Sequence, residues 1–548
     1  MRTIDRLTVE NTEITSSQLM QRAAHACFQA IAARCSGTLA SQKILILCGP
    51  GNNGGDGAAL ALELSRSGST VKVVLLGSVA KTNGDARINF ESVRDLAGSS
   101  ASTPSLSFVE CNTASAWEGL AAQSPDFDII VDALFGTGLT RPLEGIFAEV
   151  ANHLAAVRRT REETRDSKPL IVSVDLPSGL NADSGNPIGP AVHADLTVTF
   201  TALKPANVLP PASHLNGTLI VSDIGSPSAL IEAAASSLFV IEEDDARKWL
   251  RTTRYTPGSF KNSHGHVLLI AGSRGFSGAA VLSGNAAMQS GAGLVTIATP
   301  ASAQSSVAAS AMPEVMTTAL AETDRGAISD EAVAHALRLS SKATVMAIGP
   351  GLSSDDERTR RFVREVVRQH QTPVVIDADG LNCLAPCPSD FEGSADFPLI
   401  LTPHPGEMLR LMGTTDKSAL NDRVAAAREF ATNHHLILVL KGSRSLIAAP
   451  DGRVFITPTG NAGLGTAGAG DTLTGIIAGF IAQAAARPSD GSFDEGDALS
   501  AVIAALYVGG LAGDFAARDL GMRAMVASDI CGHFSEVFCF LDPEGEMP

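Results

Sequence analysis

The stretch "CGPGNNGGDGAALALEL", residues 48–64, follows the apolar run from Lys43 to Leu47. Apolar strand, glycine-rich turn and helix-forming stretch, in that order, open a βα unit. Gly49, Gly51 and Gly54 also satisfy the loose G-x-G-x-x-G fingerprint, whose glycines let a pyrophosphate approach a helix N-terminus. That fingerprint expects an acidic residue about 20 positions on, at the end of the second strand, to hold a ribose. Here the second strand ends "VVLLGSVAK" and carries no acid. Asn52, Asn53 and Asp56 are also unusual in such a turn, because a carboxylate facing a diphosphate repels it. The stretch therefore fixes an α/β start and poses a question: is a nucleotide held as cofactor, or is something nucleotide-like the substrate?

Working outward, strands and helices keep alternating. Residues 1–35 read as a helical lead-in, and Asp56–Gly68 as the first crossover helix. "TVKVVLLG", "FDIIVDALFGTGL", "PLIVSVDLPSGL", "ADLTVTFTALK" and "GTLIVSDIG" read as strands. Apolar strands separated by helices predict a mostly parallel sheet covered on both faces. Near residue 240 the pattern breaks into small residues, an acidic cluster and a Pro-Gly turn, which places a domain boundary there. A second α/β series begins at "GHVLLIAGSRGFSGAA" and runs through "ATVMAIGPGL", "TPVVIDADGLN", "LILTPHPGE" and "LILVLKGSRSLIAAP" to "GLGTAGAGDTLTGIIAGF". Two domains are expected, 1–235 and 245–545. The first reads as a Rossmann-like three-layer sandwich and the second as another α/β domain.

Length and composition agree. A chain of 548 residues exceeds one ordinary core. Net charge of −17 argues against nucleic acid or an anionic membrane as partner. The eight cysteines are scattered and complete no zinc set, so free thiols in a reducing compartment are expected. No signal peptide or membrane span is evident, and the cytoplasm is the expected location.

Three strand ends in the first half carry polar groups: Asn52 to Asp56, Asp132, and Asp175 with Ser178. Carboxyl ends of parallel strands converge on one crevice, so these acids are expected to form a site. Alone, Asp56 reads as a first-turn acid that offsets the helix dipole. Together, "GPGNNGGDG", "DALFGTGL" and "DLPSGL" resemble the NAD(P)H-hydrate epimerase family, in the family's order. The resemblance implies that a damaged NADH or NADPH, hydrated at C6 of the nicotinamide ring, is the substrate. It implies substrate contacts from Asn52, Asn53, Gly54, Gly55 and Asp56, from Gly136, Thr137, Gly138, Leu139, Thr140, Arg141 and Pro142, and from Asp175. It also implies a potassium ion held by Asn53, Asp132 and Ser178, hard oxygen donors that suit such a cation. Inverting a carbinolamine requires a proton donor and acceptor at its hydroxyl. Asp175 is the first choice for that group and Asp56 the second.

In the second half, Gly468, Ala469 and Gly470 leave backbone N–H groups clear at a helix start, an anion hole. Asp471 sits beside it, placed to take a proton from a hydroxyl during phosphoryl transfer. "GTAGAGDTLTG" resembles the ribokinase-like superfamily. With "AIGPGL", "DADGLN", "TPHPGE" and "KGSRS", the order is similar to ADP-dependent NAD(P)H-hydrate dehydratase. That likeness implies Ala279, Gly351, His404 and Asp471 on the hydrate. It implies Lys441, Gly442, Ser443, Arg444, Ser445 and Gly470 on the adenine nucleotide, ADP as phosphoryl donor, and Mg²⁺ on its phosphates. Ala467 and Ala469 replace a glycine and a serine of the commoner loop; a methyl there narrows it wherever positive φ is required. The expectation is a two-headed repair enzyme acting on NADHX and NADPHX, a homo-oligomer. The alternatives are a vitamin- or sugar-type kinase using the GAGD site, and an N-terminal domain that only binds, as in scaffold relatives.

Overall fold

Lys43–Cys48 forms strand β1 of a seven-stranded, all-parallel sheet. The run is apolar without alternation because both faces are covered. Ile44, Ile46 and Cys48 face helices Ser16–Arg34, Asn52–Arg66 and Gly84–Gly98, while Leu45 and Leu47 face Ile146–Thr164. The other strands are β2 (Thr70–Leu76), β3 (Leu106–Cys111), β4 (Ile129–Ala133), β5 (Leu170–Val174), β6 (Leu196–Phe200) and β7 (Thr218–Ser222), in the order β3-β2-β1-β4-β5-β6-β7. The winding reverses between β1 and β4, which opens a crevice at their carboxyl ends. In the computed structural model this unit is Met1–Ala235, and Ser236–Pro548 is the other. The structure describes all residues except 36–38, 100–104, 124–125, 166–167, 235, 488–492 and 546–548.

Three features differ from the sequence reading. The crossover helix begins at Asn52 rather than Asp56, with extended Gly51 at its N-cap. Asn52 to Asp56 thus form its first turn. The lead-in is two helices, Arg2–Asn11 and Ser16–Arg34, the second opened by a Thr15–Gln18 capping box. Strand β3 had no clear signal, because its "LSFVEC" lies at the sheet edge and is half-polar.

The fingerprint glycines serve packing. A Cβ on Gly54 would lie 1.8 Å from the Gly49 carbonyl oxygen, and one on Gly49 would lie 2.0 Å from the Leu134 oxygen. The turn after β1, the helix start and the turn after β4 are pressed backbone to backbone. Gly54→Ala is expected to destabilise the first unit by about 3 kcal/mol, the upper end of overpacking costs, because backbone rather than a side chain must move. A lowered calorimetric transition would register it; an unchanged one would refute it.

The second unit carries a ten-stranded sheet of β8 (Leu238–Val240), β9 (His266–Ile270), β10 (Leu294–Pro300), β11 (Met316–Leu320), β12 (Val345–Ile348), β13 (Val374–Ile376), β14 (Leu399–Leu401), β15 (Ile437–Leu440), β16 (Leu446–Ala448) and β17 (Val454–Ile456). Its order is β11-β10-β9-β12-β13-β14-β15-β16-β17-β8. β16 is antiparallel to both of its neighbours, β15 and β17, so the sheet is mixed at this end. Residues before 245 already belong to it: Leu238–Val240 pairs with β17, and Glu243–Thr252 stacks Trp249 on Phe480 at 4.2 Å. A three-residue edge strand leaves little trace in sequence. Helix Ala469–Ala485 crosses Ser277–Gln289 closely. A Cβ on Gly475 would meet the Ser283 oxygen at 2.1 Å, and one on Gly479 the Ser290 Oγ at 2.1 Å. Helix Glu495–Leu520 is long and apolar enough to cross a membrane, but 67% of its apolar window is buried inside the protein.

Candidate active sites

In the first unit four adjacent strands end on one crevice. β1 leads to Asn52–Asp56, β4 to Asp132 and Gly136–Gly138, β5 to Asp175 and Ser178, and β6 to Lys204. A cavity of about 750 Å³ opens there, lined by Asn52, Asn53, Asp56, Gly136, Thr137, Gly138, Asp175 and Lys204. Asp175 holds a left-handed backbone, φ +66°, which costs a non-glycine residue energy and marks a functionally constrained position. Its carboxylate is tightly held. Lys204 Nζ donates to Oδ1 at 2.8 Å, Thr199 Oγ1 to the same oxygen at 3.3 Å, and the Thr137 N–H to Oδ2 at 3.1 Å. Burial first, then the neighbouring charges of Asp175 and Asp5, push the Asp56 carboxyl well above its ordinary value. The arrangement therefore sets two carboxyls in different surroundings: Asp175 paired to an ammonium, and Asp56 pushed toward its neutral form by burial.

Asp132 lies fully buried below them. Ser178 Oγ donates to Oδ1 at 2.6 Å, and Ser173 Oγ and the Ser178 N–H to Oδ2 at 2.8 Å. Burial outweighs these bonds and holds its carboxyl above the ordinary range. Asn53 Nδ2 is buried and has no hydrogen-bond partner. The remaining expected contacts are not among the residues lining the cavity. Leu139 is buried in the same core cluster as Leu143, and Thr140, Arg141 and Pro142 are exposed. A Cβ on Gly55 would meet Ala86 and Met20, so Gly55, like Gly54, lets neighbouring elements approach closely.

In the second unit five adjacent parallel strands, β9-β12-β13-β14-β15, deliver the sequence motifs in spatial order: Gly272–Ala279, Gly349–Gly351, Asp377–Asp379, Thr402–Glu407 and Lys441–Ser445. A Cβ on Gly351 would lie 3.1 Å from that of Ala279, which brings these two together. Lys441 reaches to the anion hole, where a Cβ on Gly470 would lie 3.5 Å from its Nζ. Nζ donates to Asp377 Oδ1 at 2.7 Å, and Thr474 Oγ1 to Oδ2 at 2.6 Å. Asp377 is 1% exposed; burial pushes its carboxyl up, but Lys441 and the hydroxyls win and hold it below the ordinary value. Burial and Asp377 push Asp471 up to about 6 against the attraction of Lys441. His404 lies at the surface, its Nδ1 accepting the Gly406 N–H at 3.0 Å to cap Pro405–Leu411. Burial, then Lys441 and Arg410, hold its imidazole below the usual range, and so neutral at pH 7. The loop alanines cause no strain: positive φ falls on Gly468 (+85°), and neither Ala467 nor Ala469 adopts it. Arg444 does, at φ +55° in the turn after β15.

Two family models divide the chain. One described as "YjeF-related protein N-terminus" matches residues 16–206, and one described as "NAD(P)H-hydrate dehydratase" matches 267–534. The Moorella thermoacetica protein named "Bifunctional NAD(P)H-hydrate repair enzyme Nnr" is 39% identical over 545 residues, 99% of this chain and 96% of that one. The chain belongs to the bifunctional NAD(P)H-hydrate repair enzymes. Relatives of the same name from Thermofilum pendens (37% identical; 88% of this chain, 84% of that one) and Escherichia coli (30%; 97% and 90%) agree. The kinase and scaffold alternatives are thereby set aside.

Sequence reasoning about a hydrate repair enzyme passed over Lys204, Asp377, Glu407 and Thr474. Lys204 is 4% exposed, and its Nζ also donates to Thr199 Oγ1 at 2.7 Å and the Phe200 oxygen at 2.9 Å. Its position four residues beyond β6, next to β5 in the sheet, was the available signal. Lys204→Met should cost about 3–5 kcal/mol, because it leaves a buried carboxylate unpaired. Equilibrium unfolding of the full chain would read the loss, and wild-type stability would contradict it. Asp377 and Glu407 stood inside quoted motifs, but only the fold places them round Lys441, with Glu407 Oε2 at 4.0 Å from Nζ.

Proposed function

We propose that the first crevice interconverts the R and S epimers of NADHX and NADPHX, and that the second dehydrates the S epimer with ADP, yielding NAD(P)H, AMP and phosphate. One observation carries the reading: Asp175, paired to Lys204, and the buried Asp56, whose carboxyl is raised by that burial, face the same cavity. C6 of the hydrate bears a hydroxyl beside the ring nitrogen. A carboxylic acid at that hydroxyl promotes its departure as water, and a carboxylate takes the proton from the water that returns. Asp56 fits the first role and Asp175 the second.

Hydroxide is a poor leaving group, and transfer of a phosphoryl group to the C6 oxygen makes a good one. Asp471 takes the hydroxyl proton, and Lys441 with the N–H groups at Gly468–Gly470 neutralises charge on the transferred phosphoryl. The phosphate then leaves, the ring nitrogen supplies electrons, and loss of the C5 proton restores the dihydronicotinamide. Ala279, Gly351 and His404 would border the hydrate, and Gly442, Ser443, Arg444 and Ser445 the adenine nucleotide.

Two cations fit these residues. Asp132 is a buried carboxylate with no basic side chain among its described partners, so a potassium ion on Asn53, Asp132 and Ser178 would offset its charge. Magnesium keeps several waters and binds through few carboxylates plus substrate phosphates; Asp377 and Glu407 beside Lys441 suit it. Bound, it would neutralise charge on the phosphates. The protein would act in the cytoplasm, where these nucleotides circulate. Incubating mixed hydrates with ADP or ATP, while following each epimer and the dihydronicotinamide absorbance, tests the whole reading. Consumption of the S epimer alone would remove the epimerase half, and a stable phosphorylated product the dehydratase half.

A further inference from the structure

The family model for the first unit begins at residue 16. Yet Arg2–Asn11 forms one wall of the cavity. Arg2, Asp5, Arg6 and Val9, at helical spacing, face it. Ile4 and Thr8 on the other side are buried, and Thr8 Oγ1 donates to Ser226 Oγ at 3.2 Å. Arg2 Nη2 donates to the Thr137 oxygen at 3.3 Å, tying the helix to the loop that carries Gly136–Gly138. The wall is thus fixed on the site at two points, and it brings Asp5 to the cavity beside the Arg6-paired Glu10.

Besides Glu10, which is paired with Arg6, the carboxyls of Asp5, Asp56 and Asp175 line this cavity, and its buried ammonium, Lys204, is committed to Asp175. Like charges so gathered cannot all ionise together. Burial raises the Asp5 carboxyl above its ordinary value, reinforced by Asp175 and opposed by the terminal amine and Lys204. Asp5 in turn raises Asp56. The wall also carries Arg2, the terminal amine of Met1, and Arg6 paired with Glu10 at 2.7 Å.

Epimerisation places an additional demand on the site. The hydroxyl must leave C6 from one face of the ring and return on the other, so proton-handling groups are needed on both faces. Resting on the epimerase reading above, we propose that Asp5 is a further catalytic residue, the proton donor and acceptor supplied by the helix wall. When the hydroxyl departs, the C6–O bond breaks, a carboxylic acid gives its proton to the leaving oxygen, and water forms. The ring nitrogen's lone pair becomes the C6=N bond. Water then adds to the opposite face, its proton passes to a carboxylate, and the C6=N pair returns to nitrogen. One carboxyl loses a proton and another gains one, so three groups that share protons can reset the cycle.

The test uses the full chain and its Asp5→Asn and Asp5→Glu variants, with purified R hydrate and chromatography of both epimers across pH. Wild-type chain that fails to interconvert the epimers would overturn the epimerase reading itself. With wild-type activity present, Asp5→Asn is expected to lower kcat about 100-fold, the usual scale of acid–base assistance. KM should stay within a few fold, and one limb of the pH profile should be lost. Asp5→Glu, which keeps a carboxyl, should recover most of kcat. Normal kcat and pH profile in Asp5→Asn would overturn the proposal, as would a loss confined to KM or an equal loss in Asp5→Glu. Nucleotide-dependent turnover of purified S hydrate should be unchanged in both variants.

Discussion

Asp175→Asn is expected to slow interconversion of the R and S hydrates by about 10³-fold, within the range for removal of an acid–base group. The substitution keeps the shape of the side chain and removes its charge. The carboxylate now accepts from Lys204 Nζ at 2.8 Å on one oxygen and from the Thr137 N–H at 3.1 Å on the other. An amide can satisfy only one of these donors with its oxygen, and its NH₂ then faces either an ammonium or an N–H. Some stability is lost with the ion pair, so binding must be measured separately. Hydrate should still bind with near-normal affinity, because the cavity walls at Asn52, Asn53 and Gly136–Gly138 remain. Nucleotide-dependent turnover of purified S hydrate should continue. Normal epimerisation in this variant would exclude Asp175 and move the role to Asp56 and its neighbours.

What was legible in the sequence follows from how parallel sheets are built. Strands buried on both faces read as plain apolar runs, and their carboxyl ends carry the polar groups, so Asp132, Asp175 and Asp471 stood out beside their strands and turns. Strand β8 and strand β3 did not, because edge strands are short or half-polar. The packing role of Gly54 was hidden for a physical reason as well. A glycine that admits a phosphate and one that admits a neighbouring backbone look alike, and only the 1.8 Å approach to the Gly49 oxygen separates them. Lys204 and Asp5 were invisible for another reason. Their partners lie 29 residues away for Lys204, and on a separate strand end for Asp5, so no local spacing joins them. The N-terminal helix shows no cap hydrogen bond or apolar run, only a mixed pattern whose buried side became evident when Thr8 met Ser226.

Asp471→Asn should leave epimerisation intact and reduce nucleotide-dependent regeneration of the dihydronicotinamide by about 10³-fold. It should also stabilise the second unit, an outcome that a merely damaged fold could not give. The helix start at Gly468 favours a carboxylate by roughly 0.3–1 kcal/mol. Burial and the adjacent Asp377 charge oppose it and win, lifting Asp471 from 3.8 to about 6. The ionised form is therefore disfavoured in the folded chain. The penalty is absent below the unfolded value, grows as pH rises, and is fully present above about 6. A shift of that size corresponds to about 2–3 kcal/mol when fully expressed, less what solvent at the crevice mouth screens away. The asparagine variant should thus unfold at higher temperature than wild type above neutrality, and the difference should vanish in acid. Wild-type turnover should fall as pH drops through about 6, since the base must be ionised to accept the hydroxyl proton. The residual activity of the variant should be flat over the same range. A variant less stable than wild type above neutrality, or one retaining the pH limb, would show that Asp471 is not the buried base.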